Sequence, residues 1–159
     1  MTIILAAFVA LVPIPLELGS AWAEFSRAPA GHLTKTKVEV GTLGYDRSRK
    51  RLDFWLRRTV VSGIERTEQV TWATTRTCAA ARPALASMRD IPVPKFAPIG
   101  SSEGPPVVLD GIGYSLRSYS DQGTLTEETN VDTPLASWIE QTLKALDQCW
   151  TRVVPERTR

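Results

Sequence analysis

The sequence is poor in the residues that enzymes most often use as bases, nucleophiles or metal ligands. Its 159 residues include one histidine, His32, and two cysteines, Cys78 and Cys149. A single histidine leaves one base for any Ser-His-Asp or Cys-His mechanism, and too few ligands for the three or four that zinc requires. We therefore predict neither a catalytic histidine nor a metal site, and we expect no cofactor.

Phosphate-binding loops are also missing from the sequence. The Gly-Ile-Gly stretch at residues 111–113 has neither the third glycine nor the lysine of such loops, and no helix is predicted after it. Paired carboxylates could still support a small hydrolase. The adjacent pair Glu127 and Glu128 falls within a predicted strand, where neighbouring side chains point to opposite faces. A carboxylate-based hydrolase is thus kept only as an alternative.

No apolar run reaches the roughly 20 residues that cross a bilayer. The first apolar run, residues 3–16, contains two prolines and is followed by a polar stretch and by Ala21-Trp22-Ala23. This order, with small residues at the −3 and −1 positions, is typical of a secretory signal. We predict that residues 1–23 are a cleaved signal peptide and that the rest is periplasmic or secreted, with membrane contact only through the uncleaved signal. A buried N-terminal helix or strand is the alternative.

The charge balance excludes a dedicated nucleic-acid binder. Cleavage would remove Glu17 but no lysine or arginine, so the remaining chain would carry 19 basic and 16 acidic residues and a formal charge of +3. This excess is small compared with that of nucleic-acid-binding domains. We expect no nucleic-acid partner.

The two cysteines predict one disulfide, Cys78–Cys149, because an even number of cysteines in an exported chain is typical of disulfide pairing. The bond would close a loop of 71 residues. No C-x-x-C motif suggests redox chemistry. Two reduced, buried thiols in a cytoplasmic protein are the alternative, and this alternative would also contradict the signal peptide.

The hydrophobic patterning predicts a single α+β domain over residues 24–159. Alternating or β-branched segments predict strands, and an Ala-rich segment at 78–88 and an amphipathic one at 133–150 predict helices. Asp132 or Thr133 would cap the second helix, with Pro134 at its start. The predicted order is β-β-β-α-β-β-α, an antiparallel sheet of about five strands with two helices packed on one face. The predicted strands are residues 33–40, 49–61, 67–75, 114–119 and 124–129.

Four other segments are predicted to be irregular or marginal. Residues 24–31 are expected to form a flexible lead-in, and residues 91–106 a Pro-rich surface loop. Residues 107–110 are expected to form a short strand. The charged tail at 153–159 is expected to fray.

The strongest functional signal is a basic, aromatic strand face. Arg51, Asp53, Trp55 and Arg57 alternate with apolar residues, so they share one face of the second predicted strand. Arginine and tryptophan are enriched in interaction hot spots. Our leading hypothesis is a non-enzymatic protein of the bacterial envelope that binds an envelope or secreted protein through this face. Binding of a small anionic, cell-wall or lipid ligand is a second hypothesis, and a solvated face whose tryptophan is covered by a loop is the alternative without function.

Overall fold

The computed structural model describes residues 14–31, 34–92 and 111–157, which contain one antiparallel sheet and two helices. The sheet has six strands in the order β4-β3-β2-β1-β5-β6. This arrangement confirms the predicted α+β class. The elements are β1 (Ala21–Pro29), β2 (Lys35–Asp46), β3 (Arg51–Ser62), β4 (Thr67–Thr74), α1 (Ala81–Ala86), β5 (Ile112–Ser120), β6 (Gly123–Thr129) and α2 (Pro134–Ala145).

Strand β1 corrects the sequence prediction, which took residues 24–31 as a flexible lead-in and counted five strands. β1 lies in the middle of the sheet and pairs with both β2 and β5. Ala23 and Phe25 are buried in the core, whereas Glu24 and Ser26 point to the other face. This period-2 alternation is the ordinary signature of a strand. It was missed because Ala21-Trp22-Ala23 was interpreted as a cleavage site.

The main core lies between the sheet and the two helices. Phe25 of β1 packs edge-to-face on Trp138 of α2, with ring centroids 5.1 Å apart. On the same helix, one oxygen of Glu140 accepts hydrogen bonds from Arg27 Nε at 2.6 Å and from the Tyr114 hydroxyl at 2.7 Å. Burial raises the pKa of Glu140, but these two bonds outweigh it and hold that pKa below its usual value. They fasten α2 to β1 and β5.

The helix boundaries agree with the local sequence. The side-chain oxygen of Thr133 accepts a hydrogen bond from the Ala136 amide at 3.2 Å, and Pro134 is the first residue of α2, as predicted. Pro83 is the third residue of α1, where its missing N–H costs nothing because first-turn amides have no intrahelical partner. A 3₁₀ turn at Ser87–Asp90 follows α1 directly.

The predicted disulfide is confirmed: Cys78 and Cys149 are bonded, with their Cα atoms 5.5 Å apart. It joins the segment after β4 to the end of α2. The fraying of the C-terminal tail at 153–159 stays a prediction. Thr151 exchanges two backbone hydrogen bonds with Trp72 of β4, and Arg157 donates to the carbonyl of Glu17 at 3.3 Å.

Several predicted features lie outside the described residues. These are most of the apolar signal segment, His32, residues 93–106 of the Pro-rich loop and the short strand at 107–110.

Candidate functional site

The strand face proposed from the sequence as a binding surface is covered in the structure. Trp55 is 0 % exposed and Arg57 only 3 %. The indole N–H of Trp55 donates to the carbonyl of Leu18 at 3.0 Å, and Leu18 lies in the apolar cluster that contains Trp55. The tryptophan that the binding hypothesis needs on the surface is therefore buried. Residues before β1 cover it.

Arg57 is held within the protein by a buried ion pair. Its Nη1 atom lies 2.7 Å from an oxygen of Glu39 on the neighbouring strand β2. Its guanidinium also lies over the ring of Trp72, 6.0 Å from the centroid. Both contacts fix β2, β3 and β4 to one another. They give Arg57 a packing role.

Asp53, 0 % exposed, is surrounded by cationic side chains. Arg76 Nε and Arg82 Nη2 each lie 2.7 Å from one of its oxygens, and Arg51 Nε lies at 3.8 Å. Thr75 donates to it at 3.1 Å. Burial raises the pKa of Asp53, but the bonds from Arg76 and Thr75 outweigh it, so the net pKa lies below the usual value.

The Asp53→Asn variant is expected to unfold more easily at neutral pH by roughly 2 kcal/mol, because one charge-assisted acceptor is lost. A carboxyl whose pKa is lowered by folding stabilises the protein above its unfolded pKa of about 3.9. That contribution disappears as the pH falls through the folded pKa. Urea unfolding should therefore show a gap between wild type and variant at pH 7 that closes in acid. Asp121→Asn, in the exposed β5–β6 turn, is the control, and a gap as large at pH 2 as at pH 7 would contradict this account.

A groove lies beside the Asp53 cluster, with which it shares Arg82. It has a volume of about 510 Å³ and lies between α1, its 3₁₀ extension and the sheet face that carries Phe54 and Leu116. We call it the sheet–helix groove. Its apolar lining consists of seven large side chains and Ala86; the large ones are Trp22, Phe54, Leu85, Met88, Ile91, Leu116 and Leu125.

The groove exists because α1 is short. Six strands make a sheet about 24 Å wide, whereas a helix of six residues is about 9 Å long. Apolar side chains of β1, β3, β5 and β6 therefore remain beside α1 with no helix of the described residues over them. Trp22 and Phe54 pack edge-to-face at 5.8 Å and form the floor. Leu125 of the edge strand β6 is 59 % exposed at the rim.

Four polar side chains line the same groove: Arg82, Arg89, Ser118 and Glu127. Arg82 lies over the Phe54 ring, 5.9 Å from the centroid, so its guanidinium is beside the apolar wall. Burial raises the pKa of Glu127. Glu128 is not among the lining residues, and the two carboxylates face opposite sides of β6, so they do not form an acid–base pair over one substrate.

Sequence reasoning missed this site for identifiable reasons. Trp22 was assigned to the signal cleavage site. Leu125 and Glu127 belong to a hairpin that was recognised, but pattern alone does not reveal which face of it the helices leave uncovered. The signal that was available is the alternation of Ala23 and Phe25 with Glu24 and Ser26, which indicates a strand.

Among the described residues, no three His, Cys, Asp or Glu side chains are grouped so as to hold a metal ion. No helix in residues 14–31, 34–92 and 111–157 is long and apolar enough to cross a bilayer. Comparison of the chain with protein families, with curated proteins and with solved structures gives no significant match.

Proposed function

We propose that this chain is an exported, non-enzymatic binding protein of the bacterial envelope, periplasmic or secreted, that holds a small apolar molecule in the sheet–helix groove. The observation that carries the proposal is the groove itself, about 510 Å³ in volume and lined by seven large apolar side chains. Ligand sites typically measure about 300–1,000 Å³ and combine an apolar lining with a few polar groups. The groove has this composition.

Two further observations favour this function over the others. The Cys78–Cys149 disulfide is compatible with an oxidising, extracellular compartment. Trp55, Asp53 and Arg57 are buried, so a protein partner docking on that face would first have to displace the residues around Leu18. The proposed site is therefore the groove and not the basic, aromatic strand face.

The test is uptake of N-phenyl-1-naphthylamine, an uncharged aromatic probe that fluoresces in apolar surroundings. Wild-type chain should bind it with a stoichiometry of one, and Leu125→Glu should weaken binding by at least about tenfold, because a charge at the rim is costly beside an apolar ligand. Leu125 is exposed, so the variant should fold. Thr124→Glu adds the same charge to the opposite face of β6 and should bind as wild type.

Two outcomes would reject the groove as a small-molecule site. The first is a negative uptake result: either the wild-type chain binds no probe although its cooperative urea unfolding shows that it is folded, or Leu125→Glu binds the probe as well as wild type does. The second is a concentration-dependent dimer, seen by sedimentation, that Leu125→Glu dissociates and Thr124→Glu does not. The dimer would make the groove an interface between two copies of this chain.

A further inference from the structure

The charges beside the groove are not balanced. Three guanidinium groups, those of Arg51, Arg76 and Arg82, converge on the single carboxylate of Asp53. Arginine stays cationic throughout the physiological pH range, so this cluster carries two positive charges that no described carboxylate within ion-pair distance offsets. Arg82 belongs both to the cluster and to the groove lining. The excess positive charge therefore lies at the α1 side of the groove.

Arg82 retains hydrogen-bonding capacity at this position. Its described hydrogen bonds, to Asp53, Leu52 and Thr75, all use Nη2. Its Nε–H has no acceptor among the described residues, and neither has the indole N–H of Trp22. Both side chains line the groove. Both of these N–H groups are shielded from solvent, so the Arg82 donor that faces a ligand is Nη1, which makes no described hydrogen bond on a side chain that is 32% exposed; an anionic oxygen is its best acceptor.

A second cation lies at the same wall. Arg89 follows α1 in the 3₁₀ turn and lines the groove with its side chain 82 % exposed. Its ion pair with Asp90 has an Nε–Oδ1 distance of 3.6 Å, and both partners are exposed, so solvent screens the pair and Arg89 is available to a ligand. The acidic member of the lining, Glu127, belongs to the other wall, on β6.

From these observations we infer that the ligand of the groove is an amphiphile with one anionic head group, which binds against Arg82 and Arg89 while its apolar part lies on Trp22 and Phe54. The inference rests on the proposed function and specifies its ligand class. A carboxylate or a phosphate monoester provides the required oxygens, since the forked guanidinium donors suit both.

The experiment is displacement of N-phenyl-1-naphthylamine from the full-length chain by decanoate, decyl phosphate, decanol and decyltrimethylammonium. These compounds have linear alkyl chains of nine or ten carbons and differ in head group. Either anion, or both, should bind at least about tenfold more tightly than decanol, and the cation should bind most weakly. The advantage should shrink with added salt, because partly exposed charges are screened. Comparison of the two anions distinguishes a fatty-acid head group from a phospholipid-type one.

Variants connect this preference to the arginines. Arg89→Glu should reduce the ratio of decanoate to decanol affinity by about tenfold or more, since the local charge changes sign. Arg47→Glu, in the exposed turn between β2 and β3, makes the same charge change away from the groove and should keep the ratio. Arg82→Gln is less suitable alone, because it also removes a partner of buried Asp53.

The possible failures are distinguishable. If decanol displaces the naphthylamine as well as the anions do, or if Arg89→Glu keeps the ratio, the anionic ligand class is wrong and the groove remains a neutral apolar site. If the naphthylamine does not bind at all, the proposed function fails together with this inference.

Discussion

Replacing Cys78 and Cys149 together by alanine is expected to lower the free energy of unfolding by roughly 4 kcal/mol. The disulfide closes a loop of 71 residues, and in the chain-entropy treatment a loop of that length removes much of the freedom of the unfolded chain. The loop contains α1, the β5–β6 hairpin and α2. Without the bond, α2 is joined to the β3–β4 side of the sheet only by noncovalent packing.

Urea unfolding of the double variant is the measurement, with reduced wild type as the control. Reduced wild type has the same side-chain volumes as the native protein, so agreement between the two would assign the loss to the bond and not to a cavity at Cys78, which is 2 % exposed. A loss below about 1 kcal/mol with an unchanged urea dependence would contradict the entropic account.

Much of the fold could be predicted because its signals are local. Alternation over β3, the Gly123 turn and the Thr133-Pro134 start of α2 each depend on neighbouring residues. The Cys78–Cys149 pairing could be predicted from the number of cysteines alone, because two cysteines can form only one intramolecular disulfide. These features were enough to predict the α+β fold class, the β5–β6 hairpin and the disulfide.

What could not be predicted depends on contacts distant in sequence. β3 is covered on both faces, because α1 and α2 lie on one side and the segment before β1 lies on the other. Trp55 therefore contacts Leu18, 37 residues away. A strand with apolar residues on one face and Arg, Asp and Trp on the other has the same pattern whether that second face is wet or covered.

The start of the folded domain is the part of the sequence interpretation that is still untested, because residues before Glu24 make some of these long-range contacts. Cleavage after Ala23 stays a prediction. It would remove residues that the structure places in the fold: Leu18, which is buried against Trp55, Trp22, which forms the groove floor, and the first three residues of β1.

A chain that begins at Glu24 is accordingly expected to be less stable than one that begins at Ile14 by roughly 4 kcal/mol. Burial of a leucine contributes about 1.5–3 kcal/mol, and Trp55, which Leu18 covers, loses part of its own burial, at a cost of about 1–2 kcal/mol more. Loss of the Ala23 pairing with Val40 and Ser118 adds to this. The shorter chain should also lose N-phenyl-1-naphthylamine uptake, because Trp22 is gone.

Urea unfolding of the two truncated chains, with the full chain as the reference, measures this difference. Tryptophan emission should shift to longer wavelength in the shorter chain as Trp55 meets water, and the Ile14 chain should behave as the full chain does. Equal stability of both truncations would mean that the segment around Leu18 contributes little to folding, so that cleavage after Ala23 is compatible with the mature fold. The expected difference would instead mean that the folded protein needs residues 14–23, and any processing of a signal would have to occur before Ile14.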